Sequence, residues 1–65
     1  MEKQLLYSHN DVLTVSEEIT RMRTEYENQG YRCESILNQL RIYLDDGYVN
    51  IWWESGNFYQ ECIAS

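Results

Sequence analysis

The fold of this 65-residue chain is decided by residues 39–54, which read QLRIYLDDGYVNIWWE. Two runs of alternating apolar and polar side chains flank Asp46-Gly47. An Asp-Gly pair between such runs is the strongest short signal for a β-hairpin, because both residues tolerate a positive φ. A two-residue loop at this pair sets the register, and the pairs on one face are then all apolar: Leu44 with Val49, Ile42 with Ile51 and Leu40 with Trp53.

The second face of the predicted hairpin is aromatic and polar. The same register pairs Asp45 with Tyr48, Tyr43 with Asn50, Arg41 with Trp52 and Gln39 with Glu54. Arg41 would then lie within cation–π range of Trp52. Large exposed aromatic side chains surrounded by polar groups are typical of a protein-binding hot spot. The candidate partner-binding residues are therefore Arg41, Tyr43, Asp45, Asp46, Tyr48, Asn50, Trp52 and Glu54.

A strand and a helix are predicted before the hairpin. Residues 4–7 read as a short strand, because the turn-forming residues 8–11 follow them. Apolar and aromatic residues then recur at spacings of three and four, which is typical of one face of a helix: Val12, Val15, Ile19, Met22 and Tyr26. We expect this helix to span about residues 15–29 and to pack on the apolar face of the sheet.

Both ends of the predicted helix are marked. Thr14 or Ser16 can accept hydrogen bonds from the free amides of the first turn, and Gly30 is a left-handed stop. Opposite charges four residues apart predict ion pairs along the outer face, namely Glu17 with Arg21, Arg21 with Glu25 and Arg23 with Glu27.

Two regions leave alternatives open. Within residues 31–44 a helical stripe with Ser35 as its cap is also possible, formed by Ile36, Leu37, Leu40 and Leu44. The β-branched and aromatic content and the Asp-Gly turn favour a strand over 39–44. Residues 33–38 would then form a bulge or a turn of helix. Residues 58–63 predict a last strand after the turn 55–57, and either Phe58 with Cys62 or Tyr59 with Ile63 faces inward.

These elements predict an α+β fold with the order β-α-β-β-β, an antiparallel meander with one helix packed on the sheet. Residues 1–65 form one domain, since two cores would need a longer chain. A chain of this length buries only about 60% of the surface that its unfolded form exposes. No second layer is therefore expected over the outer aromatic residues, although they could simply cover a small sheet or be half-covered by residues 31–38.

Net charge restricts the partners. Five Lys and Arg against eleven Asp and Glu give a formal charge of −6. Direct binding to nucleic-acid phosphates or anionic lipid is then unfavourable, and a protein with a basic surface or a second copy is favoured. From Ile42 to Ser65 the chain carries Asp45, Asp46, Glu54 and Glu61 and no basic residue, so the predicted hairpin face should be acidic.

The sequence indicates no catalytic or metal site. His9 is the only histidine, and no nucleophile, base and orienting group accompany it, so a solvated turn residue is the simpler interpretation. Together with Cys33 and Cys62 it makes three ligands, whereas a structural zinc site needs four. The glycines, at 30, 47 and 56, form no phosphate-binding loop. We expect no enzyme, no cofactor and no metal.

The cysteines and apolar runs predict a cytoplasmic protein. No secretion signal is visible, so Cys33 and Cys62 are expected to be reduced thiols, although two cysteines are also the minimum for one disulfide. The longest apolar runs, 42–44 and 51–53, are far short of the ~20 residues that cross a bilayer, so no membrane span is expected.

These observations favour a non-enzymatic interaction protein that uses the 43–54 hairpin face to block a basic site on a partner. The alternative is a homodimer or other homo-oligomer in which the same face self-associates. In size, acidity and β-α-β-β-β layout, the chain resembles small phage-encoded inhibitors of host machinery, such as anti-CRISPR and DNA-mimic proteins. The resemblance rests on no motif and assigns no residues. It implies an inhibitor that acts in the host cytoplasm on a nucleic-acid-binding protein.

Overall fold

The computed structural model describes residues 3–64. Its elements follow in the order β1 (Gln4–Ser8), a 3-10 turn (Val12–Thr14), α1 (Val15–Asn28), β2 (Arg32–Ile36), β3 (Gln39–Leu44), β4 (Gly47–Glu54) and β5 (Asn57–Ala64). The strands form one sheet in the order β1-β5-β4-β3-β2, and every neighbouring pair is antiparallel. The predicted α+β class is confirmed: β2 to β5 form a meander, and β1 pairs with β5.

The segment before the predicted hairpin is a strand rather than a bulge or a turn of helix. β2 pairs along its whole length with β3, from Arg32 opposite Tyr43 to Ile36 opposite Gln39. Cys33 points into the core and is buried. The alternation is weak in the sequence, because the other inward position of β2 holds a serine. The chain therefore runs β-α-β-β-β-β, with one strand more than the sequence predicts, and the helical alternative for β3 is excluded.

The β3–β4 hairpin forms, but its register lies two residues from the predicted one. The loop is Asp45-Asp46 rather than Asp46-Gly47, and the predicted apolar pairs are replaced by Leu44 with Gly47, Ile42 with Val49 and Leu40 with Ile51. A shift of two residues keeps every side chain on its predicted face, so the apolar pattern cannot detect it. Gly47 instead serves a close approach, because a Cβ there would lie 2.0 Å from the backbone oxygen of Ile63.

α1 packs on one face of the sheet through the predicted apolar stripe. Val15, Ile19 and Met22 are buried and Tyr26 is half-buried, whereas Val12 precedes the helix and is exposed. The sheet contributes the rest of the core, namely Cys33, Leu40, Ile42, Ile51 and Phe58. Full burial of one large apolar side chain stabilises a fold by about 1.5–3 kcal/mol, so this cluster supplies most of the driving force for folding.

The start of α1 differs from the predicted cap. Thr14 precedes the helix and makes no side-chain bond to its free amides, and Ser16 lies inside the first turn. Asp11 instead caps the preceding 3-10 turn, accepting from the backbone N–H of Leu13 at 3.1 Å. At the other end, Gly30 has a φ of 96°, which confirms it as the left-handed stop.

The inward side of β5 is the one that carries Phe58. Phe58 is fully buried, and Tyr59 points to the opposite face. Cys62 shares the side of Phe58 but is exposed, and both cysteines are free thiols. In β1 a bulge between Leu5 and Tyr7 brings Leu6 against the core and directs the Tyr7 hydroxyl toward α1.

No helix in the part of the chain from residue 3 to residue 64 is long and apolar enough to cross a membrane.

Candidate protein-binding face

The side of the sheet away from α1 is covered by no other element within residues 3–64, and we call it the open face. Its side chains come from alternate positions of each strand, so opposite residues form rows across the sheet. The first row holds Leu5, Tyr59, Trp52, Gln39 and Ile36, the second holds Glu61, Asn50, Arg41 and Glu34, and the third holds Ile63, Tyr48, Tyr43 and Arg32.

Six of the predicted partner-binding residues share the open face, namely Arg41, Tyr43, Tyr48, Asn50, Trp52 and Glu54. The other two, Asp45 and Asp46, form the exposed loop between β3 and β4. This loop and Glu54 lie at opposite ends of β4, which at a rise of ~3.3 Å per residue separates them by about 23 Å. The hairpin thus has an aromatic centre and carboxylates at both ends.

Trp52 and Tyr59 form the stacked pair of the first row. Their ring centroids lie 5.9 Å apart and their planes differ by 30°. The row ends in two exposed aliphatic side chains, Leu5 on β1 and Ile36 on β2. This is the most apolar strip of the open face, and because its rings are already packed, little side-chain freedom remains to be lost on binding.

The two tyrosine rings of the third row each lie beneath an arginine. The Cζ atom of Arg41 is 4.1 Å from the centroid of Tyr48, and that of Arg32 is 4.5 Å from the centroid of Tyr43. The prediction that Arg41 faces Trp52 is wrong, because the observed register places Asn50 opposite Arg41. The Arg41 Nε–H donates to Asn50 Oδ1 at 3.2 Å. These contacts hold both guanidinium groups against the sheet.

Lys3 and Glu54 form an ion pair at the edge of the open face. The ammonium nitrogen lies 3.3 Å from the carboxylate and 4.4 Å from the centroid of the Tyr59 ring. The Trp52 Nε1–H donates to the same carboxylate at 3.3 Å. The indole hydrogen bond is the main cause that lowers the pKa of the Glu54 carboxyl below its usual value, and the Lys3 ammonium adds to it.

Counted over residues 3–64, the open face carries no net formal charge. Lys3, Arg32 and Arg41 balance Glu34, Glu54 and Glu61. The expectation of an acidic hairpin face is therefore wrong for the face as a whole, because strands remote in sequence bring cations beside β4 and β5. The remaining carboxylates between residues 3 and 64 lie on the loops and on α1, namely Asp11, Glu17, Glu18, Glu25, Glu27, Asp45 and Asp46. α1 also carries two arginines, Arg21 and Arg23.

An ion-pair network on the other side of the sheet ties α1 to β1. Arg21 forms the predicted pair with Glu25, and it pairs with Glu18 instead of the predicted Glu17. Tyr7 donates its hydroxyl to Glu18 at 2.8 Å. The hydrogen bond from Arg21 is the main cause that lowers the pKa of the Glu18 carboxyl below its usual value, and the hydrogen bond from Tyr7 adds to it. Partial burial, followed by the bond to Glu18, raises the pKa of Tyr7. The predicted Arg23–Glu27 pair also forms.

His9 belongs to a structural loop. Its Nε2 lies 2.8 Å from Thr14 Oγ1. The Thr14 hydroxyl also donates to the backbone oxygen of Asp11 at 3.1 Å. The backbone oxygen of His9 accepts from Trp53 Nε1 at 2.7 Å. Both the ring and the backbone of His9 are thus used to hold the β1–α1 connection.

Cys33 lies in the core, whereas Cys62 is exposed. Burial raises the pKa of the Cys33 thiol, which favours its unreactive protonated form. Across the described range, no three His, Cys, Asp or Glu side chains gather as a metal ion would require.

Several contributors to the open face are missing from the sequence interpretation, among them Lys3, Arg32 and Tyr59. Tyr59 could have been assigned from alternation once Phe58 was known to point inward. Lys3 and Arg32 lie outside the hairpin, and no local pattern indicates that they lie beside it. They are placed by the β1–β5 and β2–β3 pairings.

Comparison of the chain with protein-family models, curated protein sequences and solved structures found no match.

Proposed function

We propose that the protein is a non-enzymatic binding module that holds a partner protein on its open face. One observation carries the proposal: four aromatic rings, those of Tyr43, Tyr48, Trp52 and Tyr59, share a sheet surface with no element over it in residues 3–64. Aromatic side chains at the centre of a polar surface are the usual composition of binding hot spots, since they bury much area at little entropic cost.

In the more specific form of this proposal, the partner is a protein with a basic, nucleic-acid-binding site, and the module is a phage-encoded inhibitor that acts in the host cytoplasm. The total charge of −6 and the carboxylates at both ends of the hairpin support this form. Asp45 and Asp46 at one end and Glu54 at the other would meet basic side chains around a neutral aromatic contact. Long-range attraction would then accelerate the encounter, and the rings would hold the complex.

The test is affinity capture with the intact protein and with the Trp52→Ala/Tyr48→Ala variant. The control is Tyr31→Ala, which removes an exposed tyrosine that packs on Tyr26 of α1, away from the open face. We expect the double variant to lose the captured partner while the control keeps it, both remaining folded by circular dichroism. Undiminished capture of the same partner by the folded double variant would show the proposal to be wrong.

Salt separates the two parts of the proposal. Repeating the capture at 1 M salt, where the Debye length falls to ~3 Å, removes long-range attraction and leaves apolar contact. Retention of the partner supports an aromatic contact. Loss of the partner at high salt, with retention at low salt, supports charge mimicry by the loop and Glu54.

A homo-oligomeric module is the second candidate, and the charge balance of the open face favours it. Two copies that carry −6 each can bring this face together without net repulsion between the two faces, because most of the negative charge lies on the loops and α1. Sedimentation at micromolar concentration tests this candidate. A wild-type monomer rules it out, and a dimer that Trp52→Ala dissociates supports it.

A further inference from the structure

The two edges of the sheet are not equivalent. β1 carries a bulge, whereas β2 pairs with β3 residue for residue without interruption. A bulge is a common device that prevents an edge strand from adding further strands, and a regular edge lacks that protection. Within residues 3–64 the backbone of β2 pairs only with β3, so its outer edge is unpaired.

The free backbone groups of this edge belong to Cys33 and Ser35. Ile36 and Gln39 close a two-residue loop, and the closing pair of such a hairpin exchanges both backbone hydrogen bonds. Alternate residues direct their N–H and C=O groups to opposite sides of a strand. Arg32 and Glu34 therefore bond toward β3, and the intervening Cys33 and the following Ser35 present their backbone groups outward.

We propose that β2 pairs with β2 of a second copy, antiparallel around a two-fold axis at Cys33, and joins two five-stranded sheets into one. The Cys33 residues of the two copies then exchange backbone hydrogen bonds. Arg32 of each copy lies opposite Glu34 of the other, on the open face. The proposal goes beyond the proposed function and does not depend on it, because the two copies meet through the backbone edge of β2 rather than through the aromatic rings of the open face.

Charge complementarity supports this register. Arg32 and Glu34 are both exposed, and neither forms an ion pair with another residue of the range 3–64. The two-fold pairing gives each the opposite charge as its direct neighbour, and opposite charges across an antiparallel pair are stabilising. A two-fold axis placed at Glu34 would instead put the Glu34 side chains of the two copies opposite each other. The charges thus favour one antiparallel register over its neighbour.

The flank of α1 above this edge also permits a second copy to approach. Arg23 donates to Ser35 of β2 at 2.9 Å and pairs with Glu27 at 3.3 Å, so that the flank has no net charge. The flank over β1 carries the carboxylates Glu18 and Glu25 against Arg21 alone. The unblocked edge is therefore also the one where two acidic molecules meet with little repulsion.

Charge reversal tests the dimer. Sedimentation equilibrium would compare the wild type with Arg32→Glu, Glu34→Arg and the double variant that carries both changes. We expect a concentration-dependent wild-type dimer. Each single reversal places like charges opposite each other at both symmetry-related positions and should raise the dissociation constant about tenfold. The double variant exchanges the charges and should restore the wild-type constant.

Two further measurements keep the outcome decisive. Circular dichroism confirms that each variant is folded. Hydrogen exchange of the Cys33 and Ser35 amides should slow as protein concentration rises, whereas exchange of the Leu5 amide at the β1 edge should not change. The proposal is overturned by a wild type that stays monomeric at millimolar concentration, or by a dimer insensitive to both single reversals. A dimer dissociated by Trp52→Ala alone would assign association to the open face instead.

Discussion

Phe58 and Tyr59 are neighbours in β5, and they lie on opposite faces of the sheet. Phe58 contacts the core under α1 and is fully buried, whereas Tyr59 stacks on Trp52 and remains partly exposed. The same contrast recurs in β4, where Trp53 packs on the core and Trp52 lies on the open face. Adjacent aromatic residues therefore pack in the core on one side of the sheet and remain partly exposed on the other, so core stability and the open face can be changed separately.

The largest difference is expected between Phe58→Ala and Tyr59→Ala. Removing a fully buried phenylalanine leaves a cavity and costs about 3–5 kcal/mol, which is close to the whole stability of a domain this small. Removing Tyr59 forfeits one aromatic pair and some exposed area, about 1 kcal/mol. Urea unfolding followed by tryptophan fluorescence measures both free energies of unfolding. Equal losses would mean that the open face contributes to the core.

A smaller difference is expected between the tryptophans. Trp53→Ala removes core packing and the hydrogen bond to the His9 oxygen, at a cost of about 2–3 kcal/mol. Trp52→Ala should cost about 1 kcal/mol, since its ring is packed on one side only. If the proposed function holds, we expect the opposite order for partner capture: Trp52→Ala weakens capture, and a folded Trp53→Ala variant retains it. The same order in both assays would contradict the division between the faces.

The smallest effects concern two carboxylates, one on each side of the sheet. Glu18 and Glu54 both have lowered pKa values, so each contributes stability that is present above the unfolded pKa and lost as pH falls through the folded one. An NMR titration should show that Tyr7→Phe raises the pKa of Glu18 but not that of Glu54. Trp52→Phe, which removes the indole N–H, should raise the pKa of Glu54 but not that of Glu18.

Tyr7 adds an alkaline counterpart to the same prediction. Its folded pKa is raised above the ordinary value, so its contribution is complete below the unfolded pKa and is lost as pH rises through the folded pKa. Tyr7→Phe should therefore flatten the fall of stability at alkaline pH. A wild-type curve that is already flat there would show that folding does not raise the pKa of Tyr7.

The helix and the two sides of β3 and β4 could be predicted from the sequence, because spacings of three to four and of two are local patterns. The β3–β4 register could not, since a two-residue slip preserves both faces and Gly47 is required by β5 rather than by the turn. β2 also escaped prediction. Its turn to β3 contains no glycine, and Leu37 takes the left-handed conformation at a φ of 56°.

The sequence predicted that the aromatic residues of the candidate site share one face, but it did not predict the net charge of that face. Tyr43, Tyr48 and Trp52 share a face for any register shifted by an even number of residues, so their grouping survives the error in the turn. The neutral charge depends on contacts between distant segments. Lys3 and Glu54, for example, are 51 positions apart in the chain and meet only in the folded state.

The pairing of β1 with β5 also has a kinetic consequence. Gln4 and Gln60 are hydrogen-bonded across a separation of 56 residues, whereas the strands of the meander are joined by two-residue loops. Closing a long loop costs more conformational entropy than closing a tight turn, so contacts of this range form late in folding. We therefore expect the hairpins and α1 to assemble first, and β1 to be the last strand to dock and the first to open.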